Sequence, residues 1–91
     1  MGLINGALGD FEEARKLAVW SKGAIIPGLD PLVWRSDRYG NMIKFDERGN
    51  RNSQHGWEID HITPASLRGS DDISNLQPLH WKANASKGAL G

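Results

Sequence analysis

Residues 57–64, WEIDHITP, place an aspartate beside a histidine within a short apolar run that ends at a proline. The run predicts a β-strand over residues 57–62. A carboxylate inside such a strand is costly to bury unless it is paired or bound to a metal ion. Asp60 is therefore a candidate metal ligand, and the alternative is a strand-end aspartate in water or in an ion pair.

His61 is a candidate general base, because an imidazole can accept a proton from water near neutral pH. The alternative is a histidine whose hydrogen bonds are satisfied within the core. Adjacent residues on a strand point to opposite faces, so Asp60 and His61 can share a site only where the strand ends or bends. Thr63 and Pro64 directly afterwards favour an ending there.

Asn75 closes a loop predicted over residues 63–74, within the segment DISNL at residues 72–76. Its amide can both donate and accept hydrogen bonds, so it could hold the backbone of that loop and keep His61 in place. The alternative is an ordinary turn asparagine.

Asn84 lies in NASKG, residues 84–88, within a helix predicted over residues 81–89. Together with Asp60 it would offer one carboxylate and one amide oxygen. Hard oxygen ligands of this kind suit Mg²⁺ or Mn²⁺ better than zinc. The alternative for Asn84 is a solvated polar helix face.

The N-terminal part of the chain predicts one helix. Residues 1–9 are rich in glycine and are expected to be a loose lead-in. Asp10 and Glu13 have the spacing of a helix cap, and apolar residues then recur at helical spacing up to Gly23. The helix is therefore placed at about residues 11–22.

Two further segments complete the predicted elements. Residues 32–37 and 42–46 flank a turn and predict a β-hairpin, and residues 47–54 are polar and predict a loop. Residues 76–80 predict a short strand. Pro78 within it is also compatible with a helix that starts near residue 77.

Composition limits the classes of protein that are compatible with this chain. Ninety-one residues predict a single domain, and four tryptophans can supply much of a small core. Eleven basic and eleven acidic residues give a net charge of zero, which by itself counts against a nucleic-acid partner. There is no cysteine, which excludes disulfides and leaves the redox compartment undetermined. No apolar run reaches membrane-spanning length, and residues 1–9 lack the basic start and the length of a signal peptide, so a soluble, cytoplasmic protein is expected.

Residues 57–64, 72–76 and 84–88 together resemble the His-Asn-His (HNH) endonuclease family, over roughly residues 57–89. The resemblance implies a ββα-metal finger. The expected fold class is therefore α+β: one HNH domain over residues 1–91, with an N-terminal helix, a β-hairpin and the finger at the C-terminal end.

The resemblance also implies a role for each motif residue. His61 would activate the attacking water, Asp60 and Asn84 would hold one divalent cation, Mg²⁺ or Mn²⁺, and Asn75 would fix the loop that positions His61. Asn84 departs from the family name, which has a histidine there, and this shifts the ligand set toward oxygen.

Many relatives carry two Cys-x-x-Cys pairs that bind a structural zinc ion. The comparable places here hold Tyr39, His80 and Ala83, so no structural zinc is expected and packing by the tryptophans must replace it. His80 is interpreted as structural in preference to a third metal ligand. His55 is expected to be a solvated loop residue, and Glu58 to pair with a nearby Lys or Arg.

The predicted function is a metal-dependent DNA endonuclease of low sequence specificity, nicking double-stranded DNA one strand at a time, as a monomer or a dimer. Five basic residues are candidate DNA contacts, with a solvated surface charge as the alternative for each: Lys82, Lys87, Arg68, Arg48 and Arg51. A bacterial or phage context of packaging, homing or restriction is compatible. The alternatives are a non-catalytic DNA-binding module of the same fold, or a ribonuclease or toxin nuclease.

Overall fold

Two helices and two small antiparallel sheets make up the chain, and this α+β arrangement confirms the predicted fold class. The computed structural model describes the backbone of residues 2–90 and the side chains of residues 9–88. In chain order the helices and strands are α1 (Gly2–Trp20), β1 (Trp34–Ser36), β2 (Met42–Lys44), β3 (Trp57–His61), β4 (Leu76–His80) and α2 (Trp81–Leu90). No helix in the described part of the chain is long and apolar enough to cross a membrane.

Helix α1 begins at Gly2, so the predicted start near residue 11 is wrong, and the lead-in expected at residues 1–9 is helical from residue 2. Met1 lies outside the described residues. Glycine disfavours a helix by about 1 kcal/mol per residue relative to alanine, but no proline interrupts this segment. Asp10 consequently lies inside the helix and does not cap it.

The predicted hairpin is confirmed, although its strands are shorter than expected. Strands β1 and β2 pair antiparallel, with Arg35 opposite Ile43. His55 packs on this hairpin, where its Nδ1 donates to the Met42 carbonyl at 3.2 Å and its ring lies 5.0 Å from that of Trp34. The expectation that His55 is a solvated loop residue is therefore wrong, because its ring is partly buried against the hairpin.

The core forms where α1 crosses both sheets. Trp20 and Trp57 are fully buried with ring centroids 5.1 Å apart, and Val19, Ile43 and Leu76 pack around them. Trp34 and Trp81 are only partly buried at the edges of the molecule. Two of the four tryptophans, Trp20 and Trp57, therefore lie at the centre of the core.

Strands β3 and β4 form the second sheet, with Ile59 opposite Pro78 and His61 opposite Leu76. Pro78 is tolerated because each strand of a two-stranded sheet has an unpaired edge. The alternative of a helix that starts near residue 77 is wrong, because Leu76–His80 form β4. Strand β3 ends at His61, one residue earlier than predicted. Helix α2 follows β4 without a loop, which brings its first turns against β3.

A buried carboxylate joins the hairpin to the second sheet. Asp37 is 4% exposed, and its Oδ1 accepts hydrogen bonds from the backbone N–H groups of Tyr39 and Asn41 at 3.0 and 2.9 Å. Its Oδ2 accepts from the Asn41 side chain and from the backbone N–H of His80, both at 3.0 Å. One side chain thus holds both the hairpin turn and the end of β4.

His80 is structural, as predicted. Its Nε2 donates to the Gln54 carbonyl at 2.8 Å, and its Nδ1 accepts from the Lys82 backbone N–H at 3.1 Å. With both ring nitrogens engaged and the residue only 7% exposed, His80 fastens the polar loop to the junction of β4 and α2.

Replacing Asp37 should destabilise the fold strongly. We expect Asp37→Ala to lower the free energy of unfolding by about 2–4 kcal/mol, because buried backbone donors lose a charged acceptor. Asp37→Asn should not rescue it, since the amide NH₂ would face further donors. Urea denaturation followed by tryptophan fluorescence measures both, and Asp46→Ala, at an exposed aspartate without a side-chain hydrogen bond among the described residues, is the control. Equal stability of Asp37→Ala and the control would contradict the role of this carboxylate.

Candidate active site

A cleft of about 350 Å³ lies between the end of β3, the loop that follows it and helix α2. Asp60 and His61 line it from the strand, and Asn84 and Lys87 line it from the helix. The structure therefore brings together three of the four predicted motif residues. Asp60 and His61 both line the cleft although they are adjacent in the chain, and β3 ends at His61.

Asp60 is buried, and its two carboxylate oxygens have different surroundings. Oδ2 accepts from the Gln77 Nε2 and from the Lys87 Nζ, each at 2.8 Å. Oδ1 accepts no hydrogen bond from the side chains or backbone that the structure describes. Asp60 is 8% exposed, and the positive charge of the Lys87 ammonium offsets the free-energy cost of burying the Asp60 carboxylate. Oδ1 is the oxygen left for a cation.

Lys87 thus serves the site itself. Besides its ion pair with Asp60, its Nζ donates to the backbone carbonyl of His61 at 2.6 Å. The structure places this ammonium in the cleft, whereas the sequence analysis had named Lys87 as a candidate contact with DNA. Lys87 and Asn84 share a face because they are three residues apart on α2.

Asn84 has its amide orientation set by Glu58. Its Nδ2 donates to Oε1 of Glu58 at 2.7 Å. Because a carboxylate only accepts hydrogen bonds, the amide nitrogen must face Glu58 and the amide oxygen must face away from it. This leaves the amide oxygen of Asn84, a residue that lines the cleft, free to bind a cation.

Glu58 is in turn held by Arg51, whose Nε and Nη2 donate to its two oxygens at 2.7 and 2.9 Å. The predicted pairing of Glu58 with a basic residue is confirmed. The hydrogen bond from Arg51, with a smaller one from Asn84 and the nearby positive charge, holds the pKa of Glu58 below its usual value, although partial burial opposes this. Arg51 is therefore engaged in orienting the site.

His61 contacts a residue that the motif does not contain. Its Nε2 donates to Oδ1 of Asp71 at 2.6 Å, and this hydrogen bond lowers the pKa of the Asp71 carboxyl. The other ring nitrogen, Nδ1, makes no hydrogen bond with any residue in the described part of the chain. No specific signal in the sequence points to Asp71, which is only an acidic residue in the loop after the histidine.

Asn75 lies behind the cleft and closes the loop after β3. Its Oδ1 accepts from the Thr63 backbone N–H at 2.8 Å, and its Nδ2 donates to the carbonyls of Thr63 and Ser70 at 3.0 and 2.8 Å. Its own carbonyl accepts from the Ile62 N–H at 2.8 Å. The loop is so tight that a Cβ at Gly69 would lie 1.7 Å from the Thr63 oxygen. Asn75 therefore makes the loop contacts expected of it, and its effect on His61 stays a prediction.

The remaining candidate DNA contacts lie on the surface around the cleft. Arg48, Arg68 and Lys82 are exposed. Arg48 lines a second opening that also reaches His61 and Asn84. Arg15 of α1 lines the same opening, and sequence analysis missed it because helix α1 is far from the motif in the chain.

The donor set fits a hard cation with few protein ligands. Within the described residues no group of three or more His, Cys, Asp or Glu side chains could hold a metal ion. Asp60 and Asn84 would contribute oxygen atoms alone, and Mg²⁺ in particular binds through few protein ligands and keeps several waters. The chain has no cysteine, so a cysteine zinc site is absent.

The pairing of Glu58 predicts a pH dependence of stability. The pKa of Glu58 is lowered from its ordinary 4.5 in the folded protein, so protons bind more readily to the unfolded chain. Its contribution to stability is present above pH 4.5 and is lost as the pH falls through the lowered pKa. We expect the stability difference between wild type and Glu58→Gln to shrink on acidification below that pH, as measured by urea unfolding. Glu13→Gln, at an exposed carboxylate of α1, should show no such trend, and a pH-independent Glu58→Gln difference would contradict the prediction.

Comparison with known proteins confirms the resemblance seen in the sequence. A model of the HNH endonuclease family matches residues 45–90. The protein described as probable mobile endonuclease C of Enterobacteria phage T4 is 40% identical over 48 residues, which cover 50% of this chain and 23% of that relative. No solved structure gives a significant match. Since the family match takes in half of the chain, including β3, the loop, β4 and α2 that build the cleft, the chain belongs to the HNH endonuclease family.

Proposed function

We propose that this protein is a metal-dependent DNA endonuclease in which His61 is the general base and Asp60 and Asn84 hold one Mg²⁺ or Mn²⁺ ion. The proposal is carried by one observation: Asp60, His61 and Asn84 line one cleft in a member of a nuclease family. HNH endonucleases generally use a divalent metal ion, which agrees with the two oxygen donors.

The reaction is hydrolysis of a phosphodiester bond. His61 takes a proton from a water molecule, and the oxygen of that water forms a bond to phosphorus. The bond from phosphorus to the 3′ oxygen breaks, and the leaving oxygen takes up a proton from solvent water, which leaves a 5′-phosphate and a 3′-hydroxyl. When bound, the cation supplies positive charge at the phosphate and at the leaving oxygen.

The charges of the site explain how a protein without net charge can act on DNA. Each carboxylate at the cleft already has a partner: Asp60 is paired with Lys87, and Glu58 with Arg51. A bound cation would therefore add positive charge at the scissile phosphate. Arg48, Arg68 and Lys82 are exposed and remain the candidate contacts for the DNA backbone.

The chain contributes one such site, so a monomer cuts one strand per event. Cutting both strands requires a dimer or a second event. The name of the phage relative refers to a mobile endonuclease, and this favours a homing or mobile-element context over packaging or restriction for the present chain. The chain spans less than a quarter of that relative's length.

Loss of His61 should abolish nicking. We expect His61→Ala to lower the rate of nicking of supercoiled plasmid at least about 100-fold, because a general base contributes about 10²–10⁴-fold. Gel analysis of the nicked form over time, with Mg²⁺ or Mn²⁺, measures the rate. The activity should disappear with EDTA and return with added metal.

His55→Ala is the matched control, because it removes a histidine that lies outside the cleft, and circular dichroism should show that both variants remain folded. Unchanged nicking in His61→Ala would overturn the assignment of the base. DNA binding without any metal-dependent cleavage by the wild type would favour the non-catalytic module, and cleavage of RNA in preference to DNA would favour a ribonuclease.

Asn84 should control metal affinity. We expect Asn84→Ala to raise the Mn²⁺ concentration for half-maximal nicking at least about tenfold and to weaken Mn²⁺ binding in calorimetry by a similar factor, because one of two protein oxygens is lost. Ser86→Ala, at an exposed position of the same helix, should leave both values unchanged. Wild-type Mn²⁺ binding in Asn84→Ala would refute its role as a ligand.

A further inference from the structure

We propose that Asp71 is a positioning residue for His61: its carboxylate holds the imidazole in the tautomer and orientation in which Nδ1 receives the proton of the attacking water. The inference rests on the proposed function, in which His61 is the general base. It adds Asp71 as a fifth residue to the four motif residues Asp60, His61, Asn75 and Asn84. Through Asp71, Asn75 would act on the general base.

The contact between Asp71 and His61 determines which ring nitrogen is basic. The Nε2 to Oδ1 distance is 2.6 Å. A carboxylate accepts and does not donate, so the hydrogen atom of the neutral ring must lie on Nε2. The lone pair is then on Nδ1, the nitrogen that makes no hydrogen bond with the residues described. His61 lines the cleft that contains Asp60 and Asn84, and Nδ1 is the ring nitrogen left to accept a proton.

Hydrogen bonds from Asn75 hold the loop in the conformation that places Asp71 beside the His61 ring. Ser70, immediately before Asp71, has its carbonyl held by the Asn75 Nδ2 at 2.8 Å, and Asp72, immediately after it, has its carbonyl held by the Asn75 N–H at 2.8 Å. Ile62, the residue after His61, donates its N–H to the Asn75 carbonyl at 2.8 Å. Asn75 therefore fixes the backbone on both sides of Asp71 and directly after the base.

The same carboxylate would assist the chemical step itself. When Nδ1 takes the proton of water, the ring becomes an imidazolium with hydrogen on both nitrogens, and Asp71 lies against its charge. The proton stays on Nδ1 and Asp71 remains ionised, as in other histidine and aspartate pairs. The Asp71 side chain is 86% exposed, so solvent screens this interaction and the expected effect is smaller than in a buried pair.

Three variants separate the positioning role from loss of charge. Asp71→Ala removes the acceptor, Asp71→Asn keeps an amide oxygen that can accept the same hydrogen bond, and Asp72→Ala removes the same charge from the adjacent exposed residue. Asp72 makes no side-chain hydrogen bond with the described residues. Plasmid nicking at saturating Mg²⁺ gives kcat and KM. We expect kcat to fall about tenfold in Asp71→Ala with KM unchanged, to recover within about threefold of wild type in Asp71→Asn, and to be unaffected in Asp72→Ala.

A second measurement does not depend on activity. In ¹⁵N-histidine-labelled protein without metal, at a pH where the ring is neutral, the Nε2–H proton of His61 should be visible by NMR in wild type and Asp71→Asn. It should be lost to solvent exchange in Asp71→Ala. A fall in kcat with an unchanged Nε2–H signal would overturn the proposal, and so would wild-type kcat in Asp71→Ala. If the wild type does not cleave nucleic acid, the proposed function fails, and the NMR result alone decides whether Asp71 holds the ring.

Discussion

The side chain of Asn75 is the constraint on the loop that follows β3. A loop between antiparallel strands can adopt many conformations, and a base at its edge would share that freedom. Asn75 uses both its side-chain oxygen and its nitrogen, together with its main chain, to tie residues 62–63 to residues 70–72. The closure is tight enough that only a glycine fits at residue 69. A rigid loop is what allows Asp71, an exposed residue, to meet the His61 ring at hydrogen-bond distance.

The polar groups of the site form separate pairs, each of which orients one functional atom. Glu58, held by Arg51, turns the Asn84 amide, and Lys87 occupies one oxygen of Asp60 and leaves the other. Pairing of this kind lets acidic residues lie together in a small neutral protein without mutual repulsion. It also means that the site has little excess negative charge of its own, so a divalent cation would be held by well-oriented oxygens more than by net charge.

Much of the site was predictable from sequence because the motif residues have a fixed spacing along regular elements. Residues 57–61 and 76–80 form strands and α2 follows, so the positions of Asp60, His61 and Asn84 along these elements could be predicted. The contacts that orient those residues could not. Asp71 reaches His61, and Arg51 reaches Glu58, only through loop conformations that no periodic pattern encodes. The start of α1 was also missed, since glycine content lowers helix propensity without forbidding a helix.

Asp37 shows how the fold holds together without the structural zinc ion of many relatives. Two of the places comparable to the zinc-binding cysteines of those relatives are Tyr39 and His80. The backbone N–H groups of both residues donate to the one buried carboxylate of Asp37. A carboxylate with several donors can replace a metal clip because it, too, joins two separate segments through one centre. Its strength comes from burial, since water would otherwise compete for the same oxygens, and Asp37 is almost completely buried. The buried carboxylate of Asp37 therefore joins the hairpin to the end of β4 in a chain that has no cysteine.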